Sequence, residues 1–233
     1  MSDAQAVSAS VDFAVETFGG LHLAVNNAGI GISGPVEVQD MEATELIFGT
    51  NVLGAHRMAR AVLPGMRKKG GGLIVPISSQ LGRVIVPFAG HYSATKFALE
   101  AMSEQLAYEL VPHNIEVSII EPGGYPTEVW VNRNIYTAAL KRRAEDIHTD
   151  GYPQVVASMG TEDGSGRSAN PLDIPAAIAR IIAMPAGTRP LRTAVHPGAK
   201  PQTRINAVSA ETQLNWLGGS GYGPLIKAVH NVD

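Results

Sequence analysis

Asn51, Ser79, Tyr92 and Lys96 are residue types that could together move a proton. Tyr92 and Lys96 are four positions apart, so on a helix their side chains share one face about one turn apart. A free tyrosine has a pKa near ~10, too high for a good proton donor and acceptor at neutral pH. An ammonium beside the phenol favours the phenolate and lowers that value, most where water is partly excluded. Ser79, on a loop leaving a strand, could donate a hydrogen bond to a carbonyl oxygen as negative charge develops there. Taken singly these signals are weak. A Tyr-x-x-x-Lys pair is usually an exposed packing pair, and an asparagine inside a helix can simply bend it.

The elements that must position these residues alternate between helix and strand. Val7, Val11, Ala14, Val15 and Phe18 recur at helical spacing until Gly19-Gly20, and Leu21 to Val25 then reads as a strand. A helix is expected from Met41 to Arg67, with Pro64 and the Lys68 to Gly72 run marking its far end. Leu73 to Ile77 is a strand, Gly90 to Val111 a long helix, and Ile115 to Ile120 another strand. Pro171 to Met184 reads as a helix with Ile174, Ile178, Ile181 and Ile182 inward, followed by a strand at Pro190 to Val195 and a helix at Asn206 to Trp216. The glycine-rich end is expected to be a packing arm or a disordered tail. Such alternation without hairpin signals predicts an α/β fold, a doubly wound parallel sheet with helices on both faces. Ligands bind such sheets at the carboxyl ends of the strands, where Ser79 falls.

The run from Ile77 to Gly82 followed by His91 to Ala98 resembles the signature of the short-chain dehydrogenase/reductases, a serine followed by Tyr-x-x-x-Lys. Asn26-Asn27-Ala28-Gly29, Asn51-Val52-Leu53-Gly54 and Pro122-Gly123-Gly124-Tyr125-Pro126-Thr127 match three further motifs of that family in the expected order. The match is dense from Asp3 to Thr127 and thins beyond. The family's interval of thirteen positions before the tyrosine selects Ser79 over Ser78. The resemblance implies a Rossmann-like fold and an NAD- or NADP-dependent oxidoreductase that interconverts an alcohol and a ketone or aldehyde. Hydride would arrive at carbon while Tyr92 delivers the proton to oxygen. Lys96 would also hold the nicotinamide ribose, and Asn51 would anchor a water linking Lys96 to solvent. Asn27, Ala28 and Gly29 would pass along the cofactor together with Tyr92 and Lys96. Pro122, Gly123 and Thr127 would border its carboxamide. Residues 126–170 would form the substrate lid, with Val129, Trp130, Val131, Ile135, Tyr136, Leu140 and Met159 as lining or as an ordinary amphipathic helix pair. Residues 197–233 would be a C-terminal extension. The resemblance also implies a homodimer or homotetramer joined through the two long helices.

One family feature is missing from the sequence. A dinucleotide fold opens with a strand, a glycine-rich turn and a helix N-terminus, because backbone amides must approach the pyrophosphate closely. Nothing upstream of Asn26 supplies that turn. The family places two βα units before the segment equivalent to Asp3, so at ~30 residues per unit about 50 to 60 residues are expected to be missing. On that expectation residues 1–233 are one partial domain lacking the first βαβαβ portion, and the chain alone binds cofactor weakly or not at all. Gly160 to Gly166 fits Gly-x-x-x-Gly-x-Gly letter for letter, yet Glu162 and Asp163 would repel phosphates, so a mobile polar loop is expected.

The chain has 233 residues, 18 Lys and Arg against 21 Asp and Glu, and no basic stripe, which argues against nucleic acid as a partner. It has no cysteine, so disulfides and thiolate chemistry are excluded. No apolar run approaches the ~20 residues of a membrane span, and the N-terminus lacks the regions of a signal peptide, so no membrane contact and a cytoplasmic location are expected. His91, His148 and His196 lack partners at ligand spacing, and no metal is expected. A reading from a different class remains beside the enzyme: a catalytically dead remnant that associates with other subunits through its intact helices.

Overall fold

The computed structural model describes Met1 and residues 3–232; Ser2 and Asp233, the last residue of the expected extension, lie outside the described residues. Helix α1 (Ala4–Phe18) starts at Asp3, whose carboxylate accepts from the Gln5 and Ala6 amides, and ends at Gly19 with φ 73°. Such caps satisfy the orphan donors at a helix start and let the chain reverse at its end. Strand β1 (Leu23–Asn26) follows directly.

The single helix expected over 41–67 is two, α2 (Met41–Asn51) and α3 (Leu53–Lys69), broken at Val52 with φ −107° and ψ −62°. The break comes where the Asn51 side chain leaves the helix to bond elsewhere. Pro64 lies inside α3 rather than at its end. It faces solvent, where water can meet the carbonyl that proline leaves without a donor. Strand β2 (Gly72–Pro76) leads through a short 3-10 turn at Gln80–Gly82 to α4 (Tyr92–Leu110). The apolar run from Val84 to Phe88 forms no strand, and Ile85 and Phe88 are exposed.

The expected strand 115–120 is also divided, into β3 (Ile115–Val117) and β4 (Ile119–Pro122). Ser118 bends the path by donating its hydroxyl to the Pro190 carbonyl at 2.7 Å, while its amide still bonds Ile74 of β2. Helices α5 (Val129–Arg143), α6 (Asp146–Thr149), α7 (Pro153–Ser158) and α8 (Asp173–Ala183) come next, before β5 (Arg192–Val195). The end is helical rather than a loose tail, with α9 (Gln202–Leu217) and α10 (Gly223–Val229).

Among the described residues all the strand pairings are parallel. β1, β2 and β3 lie in that order, β4 pairs with β5, and an Ile77–Ile120 bridge carries β2 on to β4. Register sets Val25 beside Val75 and Asn26 beside Pro76, so the strands end level at the site. Among the described residues β1 is paired on one edge only. One sheet face carries Ala24, Ile74, Val117 and Ile119 into a core with Val62, Leu63 and Met66 of α3, Ala107 and Leu110 of α4, and Val11 of α1. The opposite face carries Leu73, Val75, Ile77 and Ile120 against Ala177 and Ile181 of α8. Ile182, expected inward, is exposed, and Ala177 takes the buried place. Each fully buried branched side chain stabilises by about 1.5–3 kcal/mol. This is an α/β Rossmann-like fold, a parallel sheet with helices on both faces, as the alternation of elements predicts.

Candidate active site

Three strand ends and one helix start meet in a cavity of about 500 Å³. Asn27 and Gly29 leave β1, Ser78 and Ser79 leave β2, Pro122 and Gly123 end β4, and Tyr92 opens α4; all line it, as do Lys96 and Thr127. Ala28 and Asn51 do not. Ser79 accepts from the Leu81 amide at 3.1 Å, which fixes the turn that presents its hydroxyl. Extended backbone sends consecutive side chains to opposite sides, so Ser78 turns toward Gly82 and α4 instead.

Tyr92 is placed by the turn before it. Gly90 has φ 63°, and a Cβ there would stand 2.7 Å from the Ile32 carbonyl oxygen and 2.2 Å from Gln39 Nε2. Only glycine fits without moving backbone. The preceding His91 is held between Thr44, 3.0 Å from its Nδ1, and Phe48, which it meets edge-on. Lys96 is buried; its Nζ donates to the Ile77 carbonyl at 2.8 Å and lies 5.6 Å from the Tyr92 ring centroid.

Burial raises the Tyr92 pKa above its ordinary value, and the Ser79 hydroxyl beside it works the other way. Burial lowers Lys96 to about 8, opposed by the Glu100 carboxylate. A charged Lys96 next to a half-buried phenol is the arrangement that eases proton loss from the phenol.

Asn51 holds the loop after β1. Its Nδ2 donates to the Ile30 carbonyl at 2.9 Å and to Thr95 Oγ1 at 3.0 Å, and its Oδ1 accepts from the Ile30 amide at 2.8 Å. That loop passes close to the lysine, since a Cβ on Gly29 would lie 3.3 Å from Asn51 Oδ1 and 3.7 Å from Lys96 Nζ.

Part of the cavity wall comes from the segment after Thr127. Trp130 donates its indole N–H to the Tyr125 carbonyl at 2.6 Å. The guanidinium carbons of Arg167 and Arg133 lie 3.6 and 4.7 Å from its ring centroid, a doubled cation–π contact. Glu162 joins both arginines, at 2.5 Å to Arg167 and 3.1 Å to Arg133. The loop at Gly160–Gly166 is therefore tied to α5 and the cavity wall, and no helix starts from it. Val129, Trp130 and Met159 line the cavity; Val131, Ile135, Tyr136 and Leu140 do not. Helical period is the reason, for Leu140 falls on the side of α5 that packs with Ile32 and Ile47. Ile30, Ile32, Leu81 and Phe88 add to the apolar lining. Their positions depend on loop paths, which leave no period in the sequence. Among the described residues no group of three or more His, Asp or Glu side chains is arranged to hold a metal ion, and no helix is long and apolar enough to cross a membrane.

The family model for short chain dehydrogenase matches residues 1–136, which contain Asn51, Ser79, Tyr92 and Lys96. The chain belongs to the short-chain dehydrogenase family. It is 37% identical over 191 residues to the 3-ketodihydrosphingosine reductase of Bacteroides thetaiotaomicron, a match covering 82% of this chain and 68% of the reductase. A solved short-chain dehydrogenase from Streptomyces avermitilis superposes with a TM-score of 0.65 at 28% identity, over 92% of this chain and 75% of the other. ElxO, solved with NADP bound, superposes with a TM-score of 0.51 at 31% identity over 52% of this chain and 50% of its own. The chain spans about two thirds of the length of several curated relatives it matches.

Proposed function

We propose that this short-chain dehydrogenase interconverts an alcohol and a carbonyl compound with NAD or NADP, with Tyr92 as the acid and base. The observation that carries the reading is the meeting of Ser79, Tyr92 and Lys96 in one cavity beside the ends of β1 and β4. When bound, the nicotinamide ring supplies or accepts the hydride. The residues present suit it: bare backbone at Gly29 leaves the Lys96 ammonium open to the cavity. Ile77 takes one of its three N–H bonds, and no other hydrogen-bond partner for it occurs among the described residues, which leaves two for ribose hydroxyls. Asn27, Ala28 and Gly29 on one side and Pro122, Gly123 and Thr127 on the other are the residues that would flank the cofactor.

In the reducing direction Ser79 donates a hydrogen bond to the substrate oxygen and Tyr92 gives that oxygen a proton. In the oxidising direction Tyr92 takes the proton from the alcohol, and the Lys96 charge stabilises the phenolate left behind. Asn51 keeps the Ile30 loop against Thr95, one residue before Lys96, and so holds the cofactor-side wall in place. Residues 126–170 act as the lid, with Trp130 clamped between Arg133 and Arg167. The Ile30, Ile32, Leu81 and Phe88 lining suits a substrate with a hydrocarbon body, in keeping with the similarity to a reductase of a sphingoid ketone.

A panel of long-chain and cyclic secondary alcohols, each with NAD⁺ and with NADP⁺ at concentrations high enough to offset the weak cofactor binding expected of this chain, tests the reading by absorbance of the reduced cofactor. Turnover of at least one apolar alcohol is expected. No turnover across the panel in either direction would reject it.

A further inference from the structure

The active-site helix carries a polar ladder that runs away from the cavity. Tyr92, Lys96, Glu100, Glu104 and Tyr108 succeed one another at four-residue spacing along α4. Glu100 does not line the cavity, yet it is almost fully buried. Arg192 of β5 meets it from across the sheet: Nε lies 2.8 Å from Glu100 Oε2 and 3.7 Å from Glu121 Oε1, and a terminal nitrogen lies 2.6 Å from Glu104 Oε2. Glu121, fully buried in β4, accepts from Asn206 of α9 at 2.7 Å, while Gln202 donates to its backbone carbonyl at 3.2 Å. Tyr108 joins Glu104 to His230, which follows α10.

Charge does not balance inside this cluster. Three carboxylates surround one guanidinium, and Glu100 Oε1 is buried with no hydrogen-bond partner. The remaining cations near it are Arg83, which donates to Ser209 of α9, and Lys96, one turn up the ladder. The Ser79 turn sits directly on this stretch, for a Cβ on Gly82 would stand 2.9 Å from Glu100 Cγ and 3.2 Å from the Lys96 carbonyl oxygen.

We propose that Glu100, held by Arg192, supplies the buried counter-charge for the Lys96 ammonium, and is thereby a positioning residue for Tyr92 that never touches the substrate. The proposal rests on the role given to Lys96 above. Burial draws Lys96 down to about 8, and the Glu100 charge is what opposes a further fall. Glu121 is pushed up to about 7 by burial and by the Glu100 charge. Glu104 resists the upward push of burial because Arg192 and Tyr108 stabilise its charge. The facing groups are thus Lys96 and Glu104 on α4, Glu121 on β4, Arg192 on β5, Arg83 after β2 and His230 at the end of α10; α9 contributes the uncharged Asn206 and Gln202. Through them the C-terminal helices are tied to the strand that ends at Pro122.

Heteronuclear NMR of the lysine ammonium groups in the whole chain reads this directly, with the Lys96 signal assigned by Lys96→Arg. The wild-type midpoint is expected at about 8. Glu100→Gln keeps the shape and leaves Arg192 with Glu104 and Glu121, and should lower the midpoint by about one unit or more. Glu100→Asp retains the carboxylate and should keep most of the elevation. An unchanged midpoint in Glu100→Gln, or an equal fall in both variants, overturns the proposal. Wild type alone also decides: a midpoint near ~6, where an unpaired buried lysine titrates, overturns it with no variant needed. The signal is the ammonium itself, so failure of turnover would count against the oxidoreductase reading and leave this result standing.

Discussion

Lys96 Nζ and the Ile77 carbonyl oxygen are 2.8 Å apart, a bond that fastens the active-site helix to the end of the central strand β2. The same ammonium lies 5.6 Å from the centroid of the Tyr92 ring. The bond fixes where the positive charge sits, and burial sets what it costs.

Lys96 titrates at about 8 in the folded chain against 10.5 for a free lysine, a difference of about 3 kcal/mol at 1.36 kcal/mol per unit. The sign follows from proton counting. Between those values the unfolded chain holds the extra proton, so the penalty is full below the folded value and is relieved as pH rises through the window. Lys96→Met keeps the apolar stem and removes the charge. Its melting temperature should exceed that of wild type at pH 7, the gap closing by pH 10, while proton transfer by Tyr92 is lost. A variant less stable than wild type at pH 7 would show that the charge does not carry this cost.

Asn51→Ala should destabilise by about 2–4 kcal/mol, because the Ile30 amide, the Ile30 carbonyl and Thr95 lose a partner together. Chemical denaturation measures it. A loss under ~0.5 kcal/mol would mean that water replaces the side chain and that Asn51 does not hold the loop.

Asp40 caps α2 by accepting from the Ala43 amide at 2.7 Å and pairs with Arg143 of α5 at 2.9 Å, which ties α5 to the start of α2. The Arg143 hydrogen bond is the main reason the Asp40 carboxyl lies below the usual range. Its contribution is therefore present above the ordinary aspartate value and fades as pH falls through the lower folded one. Asp40→Ala should cost about 1–2 kcal/mol at pH 7 and flatten the acid limb of the stability profile. Equal acid limbs in the two proteins would contradict the pairing.

Gly90→Ala forces a Cβ into the Ile32 carbonyl at a φ of 63°. The strain, about 1–3 kcal/mol, falls two residues before Tyr92, so kcat should drop more than KM rises. A variant with wild-type stability and kcat would show that this turn does not set the tyrosine.

The sheet and the gathering of Ser79, Tyr92 and Lys96 in one cavity could be read from the sequence because both rest on local periods and fixed spacing. Leu73 to Ile77 is apolar throughout and becomes the core of β2, and Tyr92 and Lys96 share a helix face because four residues make one turn. Features decided by tertiary contact were less visible. The break at Val52 follows from where the Asn51 side chain goes, and the bend at Ser118 from a bond to Pro190, seventy-two residues away. The Arg133–Trp130–Arg167 stack joins a helix to a loop with no shared period. The buried cluster did leave a trace, since Glu100 and Glu104 continue the four-residue spacing of Tyr92 and Lys96. Its partner Arg192, on another strand, left none.

The central claim is that Tyr92 moves the proton, and Tyr92→Phe tests it most directly. With the best alcohol and its preferred cofactor, kcat should fall by about 10²- to 10⁴-fold, with the melting temperature and cofactor affinity close to wild type. Turnover by Tyr92→Phe at the wild-type rate would contradict the account, whatever the arrangement of Ser79 and Lys96.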